Sequence, residues 1–145
     1  MGYRSEVAYK IRMNKNILAN ETHEEYKAKF KQFMMELKAN PETELALRDY
    51  EDDEYIKYAE KMGIDYDRCE IVYHHVGLKW YSEYESVKSH HAIMEHATTW
   101  NDDEWDERFS VAFARVGEEQ DDIETEYHGP DGYSLLGTHT TVWVD

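Results

Sequence analysis

Hydrophobic and polar positions alternate from the start of the chain: Val7, Tyr9, Ile11 and Met13 are interleaved with Ala8, Lys10 and Arg12. A period of two puts one set on a single face, which predicts a half-buried first strand. The period then changes. In "THEEYKAKFKQFMMELKANP", Tyr26, Phe30, Phe33, Met34 and Leu37 recur at helical spacing, which predicts a helix laying one apolar stripe on a sheet. Thr22 and Glu25 form a capping box, and Asn40 followed by Pro41 is a stop signal. "DDEYIKYAEKMG" predicts a second, shorter helix, with acids at its positive end and Gly63 as C-cap. "CEIVYHHVGLKWY" is apolar on both parities, with Ile71 and Tyr73 on one and Val72, Val76, Leu78 and Trp80 on the other. That pattern predicts a central strand buried on both faces, in which Gly77 marks a bulge or a close backbone approach.

Residues 84 to 100, "YESVKSHHAIMEHATTW", predict a third helix with Val87, Ile93, Met94, Ala97 and Trp100 inward. "RFSVAFARV" sets Phe109, Val111 and Phe113 on one strand face and the small Ser110, Ala112 and Ala114 on the other. "IETEYHG" and "THTTVWV" predict two more strands, separated by the turn signal "GPDG". The order β-α-α-β-α-β-β-β defines an α+β protein: one domain over residues 1–145, with a mixed or antiparallel sheet of about five strands and helices packed on one face. No repeat, linker or low-complexity segment interrupts it.

Composition sharpens the functional side. The chain has 145 residues, 41% hydrophobic and 14% aromatic, enough to bury a real core. Against 16 basic residues stand 32 acidic ones, a formal charge of −16. Such a field repels nucleic acid and anionic membranes and attracts basic surfaces, so direct nucleic-acid binding is excluded as an expectation. The lone Cys69 rules out an internal disulfide and fits a reducing compartment; it is expected as a small buried hydrophobe on a strand rather than a catalytic thiol. "MGYRSEVAYK" lacks the apolar run of a signal peptide, and no stretch approaches a membrane span. The expectation is a cytoplasmic protein with no membrane partner.

Motifs for chemistry are sparse. His91 and Glu95 stand at i,i+4 in "HHAIMEH", a spacing that can hold a transition metal, but the second histidine of H-E-x-x-H is missing. The acidic run 118–126 lacks the alternation that wraps calcium. Two-histidine phosphodiesterases use paired His-x-Thr motifs on neighbouring strands. Here His139-Thr140-Thr141 falls on a predicted strand, but His96-Ala97-Thr98 falls in a helix, where i and i+2 diverge. There is no phosphate loop, nucleophile elbow or paired-cysteine motif. "GLKWYSEY" has aromatics that could stack on a base, but a buried aromatic strand leading into a helix accounts for them. No catalytic residue, metal or cofactor is expected.

Fifteen of the 32 carboxylates fall in three clusters, "EDDE" at 51–54, "DDEWDE" at 102–107 and "EEQDDIETE" at 118–126. Glu51, Asp52, Asp53, Glu54, Asp102, Asp103, Glu104, Glu118, Glu119, Asp121, Asp122, Glu124 and Glu126 are the candidate acidic binding surface. A rigid array of this kind can imitate the phosphates of DNA. Arg115 sits on the core parity of its strand and needs a partner. Glu118, Asp121 and Asp122 are the nearest, with Glu118 or Asp121 expected to take it and close the turn. The competing arrangement is a pocket for an anionic ligand, built from Arg115, Lys79, His75 and His139.

Three segments, "MGYRSEVAYKI", "GLKWYSEYESV" and "FARVGEEQDDIE", together resemble a group of short proteins from tailed bacteriophages. That group begins Met-Gly-Tyr-Arg-Ser-acid-Val, carries a Lys-Trp-Tyr followed by a Tyr and a Val, and then an Arg-x-Gly-Glu-acid stretch. The matching positions here are Tyr3, Arg4, Lys79, Trp80, Tyr81, Arg115, Gly117 and Glu118. The stretch from Thr43 to Asp65 and the chain beyond Glu126 lie outside the resemblance. It implies a phage accessory protein made in the host cytoplasm and brings no catalytic residue with it. With the charge, it leads to the expectation of a non-enzymatic anti-defence protein that inhibits a host protein bearing a basic or nucleic-acid-binding surface. The alternatives are a sponge or two-histidine phosphodiesterase for a nucleotide signal, and a virion or assembly component.

Overall fold

A computed structural model describes residues 4–16, 20–51, 62–101, 108–119, 121–129 and 135. Five strands form one antiparallel sheet: β1 (Ser5–Met13), β2 (Met62–Asp65), β3 (Glu70–Leu78), β4 (Phe109–Gly117) and β5 (Ile123–His128), in the spatial order β2-β3-β1-β4-β5. The helices are α1 (His23–Ala39), α2 (Glu44–Glu51) and α3 (Glu85–Thr99), with a single 3₁₀ turn, Pro41–Thr43, leading into α2. The α+β architecture is therefore the one the periodicities define. β1 is central, with Tyr9 opposite Tyr73 on one side and Phe113 on the other.

The alternation of β1 works as expected. Val7, Tyr9, Ile11 and Met13 are fully buried beneath Phe30, Phe33, Met34 and Leu37 of α1 and Val87, Ile93, Met94 and Ala97 of α3. The capping box closes the start of α1: the Glu25 backbone N–H donates to Thr22 Oγ1 at 3.1 Å, and the Thr22 N–H donates to Glu25 Oε1 at 2.9 Å. A second buried contact ties α3 to the sheet, the 2.7 Å hydrogen bond between the Tyr9 hydroxyl and His90 Nδ1.

Four expectations are corrected. First, β3 is an interior strand, between β2 and β1, but it is not buried on both faces: Ile71 and Tyr73 are buried, while Val72 and Val76 are 39% and 63% exposed. The helices cover the face that carries Ile71 and Tyr73, so Val72 and Val76 stay wet, while Trp80, beyond the Gly77 bulge, is buried in the core. Second, Gly63 is no helix cap. It lies in β2 opposite Val72, while residues 52–61 of the expected second helix lie outside the described residues. Third, a helix occupies the stretch after Pro41. Asn40 Oδ1 accepts the Glu42 N–H at 2.9 Å, and Ala46 and Leu47 of α2 are buried. Fourth, Cys69 is buried but not on a strand; with φ of 55° it ends the turn before β3.

Two glycines have conformational work. Gly77 (φ 74°) sits where the β1–β3 register slips between Ser5 and Val7, the bulge expected there. At Gly129 (φ 82°) a Cβ would stand 2.4 Å from the Phe109 carbonyl oxygen, so only glycine lets the chain leave β5 this close to β4. The strand expected at 138–144, and all of "GPDG" after Gly129, lie outside the described residues.

Burial pushes the Cys69 thiol up to about 11, which leaves almost no thiolate at neutral pH. Native protein at pH 8 is expected to react with an aromatic disulfide reagent far more slowly than urea-unfolded protein. Equal rates in the two states would show a thiol open to solvent.

Candidate functional site

The acidic run of residues 118–126 is the bend and second strand of the β4–β5 hairpin. The turn is closed by backbone bonds, Gly117 N–H to Asp122 O at 2.8 Å and Asp122 N–H to Glu119 O at 3.0 Å. Pairing places Arg115 opposite Glu124, Phe113 opposite Glu126 and Val111 opposite His128. These pairs share the helix-facing side, because residues opposite one another in a ladder point the same way.

Arg115 does have a carboxylate partner among the three nearest, but it is Asp122, joined by Glu124, rather than Glu118 or Asp121. Its Nη2 and Nη1 donate to Asp122 Oδ1 and Oδ2 at 2.7 and 3.1 Å, its Nε donates to Glu124 Oε1 at 3.0 Å, and Nη1 also reaches Ser5 Oγ at 3.1 Å. Asp122 and Glu124 therefore clamp the guanidinium. Glu118, expected in that role, instead accepts the Arg4 backbone N–H at 2.6 Å, while Arg4 Nη1 donates to the Gly77 carbonyl at 2.7 Å. Glu119 and Asp121 are exposed on the bend. The clamp raises the Arg115 pKa through the Asp122 hydrogen bonds first and those of Glu124 next, against its burial. Arg115 is 16% exposed but Asp122 and Glu124 are 32% and 56% exposed, so removing the cation strands carboxylates that water still reaches. Arg115→Ala is expected to cost about 2 kcal/mol, and Arg115→Lys less, since the charge remains but the fork is lost. Urea melts of both variants check this; equal losses would mean that charge alone matters.

The competing anion pocket is only partly assembled. His75 and Arg115 both lie opposite Val7, on either side of β1. Lys79 is exposed beyond the end of β3, and His139 lies outside the described residues. The Arg115 guanidinium already faces two carboxylates and a hydroxyl. Of the other acidic clusters, Asp52, Asp53, Glu54, Asp102, Asp103 and Glu104 also lie outside the described residues, as does the side chain of Glu51 at the end of α2.

The histidines have structural and surface roles. His96 and Trp100 donate to the same Glu36 oxygen at 2.8 and 2.9 Å. Burial alone would raise the Glu36 carboxyl, but hydrogen bonds from Trp100, His96 and Gln32 outweigh it and hold the group below its ordinary value. His91 and Glu95 do share a helix face as their spacing predicts. Sequence reasoning did not place β5 beside them: His91, Met94, Glu95 and Thr98 of α3 and Glu126 and His128 of β5 line one cleft of about 280 Å³. The signal was present in two halves, i,i+4 on a helix and i,i+2 on a strand, with nothing in either to say they meet. Among the described residues, no three His, Cys, Asp or Glu side chains are arranged to hold a metal ion.

No protein family, curated protein or solved structure matches the chain. Among the described residues, no helix is long and apolar enough to cross a membrane.

Proposed function

We propose that this protein is a non-enzymatic phage accessory protein, acting in the host cytoplasm, that binds a positively charged host protein through its carboxylates and blocks it. The observation that carries this reading is the construction of the β4–β5 hairpin. Arg115 is held by Asp122 and Glu124, the backbone closes the bend, and Glu119 and Asp121 are exposed on this preordered support. A fixed array binds more tightly than a floppy one because less conformational freedom is lost on docking. The net charge of −16 adds steering toward a basic surface. A host defence factor that itself handles nucleic acid is the target this chemistry suits best, since its basic surface would accept carboxylates in place of phosphates. The phage-like segments supply the host setting.

The test is affinity capture from lysate of defence-carrying bacteria at rising salt, followed by identification of the co-eluting proteins. A captured basic protein should be released as salt rises, because exposed charges are screened over about 8–10 Å at physiological ionic strength. Glu119→Gln with Asp121→Asn, in protein shown by its melting curve to be folded, should weaken that capture by about 2- to 30-fold, the sum of two exposed pairs. Capture of nothing salt-sensitive, or full capture by the double variant, would overturn the reading. Asp122 and Glu124 are unsuited to this test because they hold Arg115.

A further inference from the structure

Helix α3 lies over β1 and β4, while β5, at the sheet edge, extends past the helix layer. The overhang forms the 280 Å³ cleft, with His91, Met94, Glu95 and Thr98 on the helix side and Glu126 and His128 on the strand side. Met94 is buried and gives it an apolar floor. The His91 ring is fixed against Phe113 (centroids 5.3 Å apart) and Trp80 (5.8 Å), so it forms a flat wall. Glu95 and Glu126 are exposed on opposite sides, and His128 Nε2 lies 3.4 Å from Glu126 Oε2. No lysine or arginine is among the lining residues.

We propose that this cleft receives one arginine side chain of the partner protein. The inference rests on the reading of the protein as a carboxylate-bearing binding protein and names a specific anchor within it. Two carboxylates, one on the helix side and one on the strand side, with no lysine or arginine among the lining residues, disfavour an anion. No three of the four His and Glu donors are set to close on an ion, which disfavours a metal. The volume lies just under the range of small-molecule sites, about 300–1,000 Å³, so it suits one long side chain rather than a stretch of peptide. Arginine fits better than lysine. Its stem can lie on Met94, its planar head can stack on the His91 ring, and its fork presents donors in two directions, toward Glu95 and toward Glu126. Arginine anchors in partly enclosed sites are also the residues that dominate interface energetics.

The experiment is a titration of isotope-labelled protein with acetyl-Gly-Arg-Gly amide, reading the His91 and His128 ring signals and the Met94 methyl signal. The same peptide with neutral citrulline, and with lysine, serves for comparison. Saturable shifts with a Kd on the order of 10 mM are expected for arginine, weaker ones for lysine and none for citrulline. Glu95→Gln with Glu126→Gln should weaken arginine binding by at least about tenfold without moving the melting curve. Equal shifts from citrulline, no shift from arginine, or tight stoichiometric binding of Zn²⁺ lost in His91→Ala would each overturn the proposal. Against a captured partner, the Glu95/Glu126 variant should bind less well. If it binds fully while the Glu119/Asp121 variant does not, the arginine anchor is wrong and the broader reading stands. If capture shows no salt dependence at all, the broader reading fails and the peptide titration still decides the cleft.

Discussion

Arg108→Ala is expected to cost about 3–5 kcal/mol, because it leaves a buried carboxylate without its cation. Arg108 and Glu21 are each only 7% exposed, and the pair is bidentate, Nη1 to Oε1 at 2.7 Å and Nη2 to Oε2 at 2.8 Å. Nη1 also donates to the Asn14 carbonyl at 2.9 Å, and Glu21 Oε1 accepts the Asn16 N–H at 3.0 Å. One guanidinium thus joins the exit of β1, the approach to α1 and the start of β4. The Arg108 hydrogen bond holds the Glu21 carboxyl below its ordinary value. A depressed folded pKa means that this stability is present above the unfolded carboxylate value of about 4.3 and is lost as pH falls through the folded one. In Arg108→Ala the sign reverses, since a buried carboxylate without a cation is raised and binds its proton more readily when folded. Urea melts at pH 7 and pH 5 should therefore show a smaller deficit for the variant at pH 5. A deficit equal at both values would mean that Glu21 is not stranded.

Phe33→Ala should lose a similar amount, about 3–5 kcal/mol, for a different reason. Phe33 is fully buried on α1, with its ring 4.4 Å from Phe109, 5.5 Å from His96, 5.8 Å from Trp100 and 6.1 Å from Phe30. It is the point where α1, α3 and the sheet meet, so the surrounding side chains cannot collapse into the space without moving a whole element. Phe33→Leu, which keeps most of the volume, should lose less than half as much. Urea midpoints compare the two; matching losses would show that ring contacts rather than volume govern the site.

Elements with a long, single period were legible in the sequence: β1, α1, α3, β4 and β5 all lie where the spacing places them. The failures have separate causes. β2 is four residues, "MGID", too short to show alternation, and its glycine has the look of a helix end. α2 follows a proline that ends one helix and, through a 3₁₀ turn, starts the next. Val72 and Val76 made β3 look doubly buried, because an apolar residue does not reveal that its face is uncovered. The site was half legible. The need of Arg115 for carboxylates followed from parity, but which carboxylates depended on the hairpin register that sets it opposite Glu124. Glu21 and Arg108 are 87 residues apart, and no local pattern could have joined them.

The place of β1 in the sheet also sets a timetable. Its partners are encoded far downstream: Tyr9 must meet Tyr73 on one side and Phe113 on the other. At about 5–20 residues per second of synthesis, the first partner arrives roughly 3–13 s after β1 is made and the second roughly 5–20 s after. Until then the central strand of the sheet waits on the ribosome with both edges open, a hazard for association between nascent chains. Charge gives the waiting segment no protection at first: residues 1–40 carry eight basic and five acidic side chains, and the acidic excess begins only with the stretch that follows.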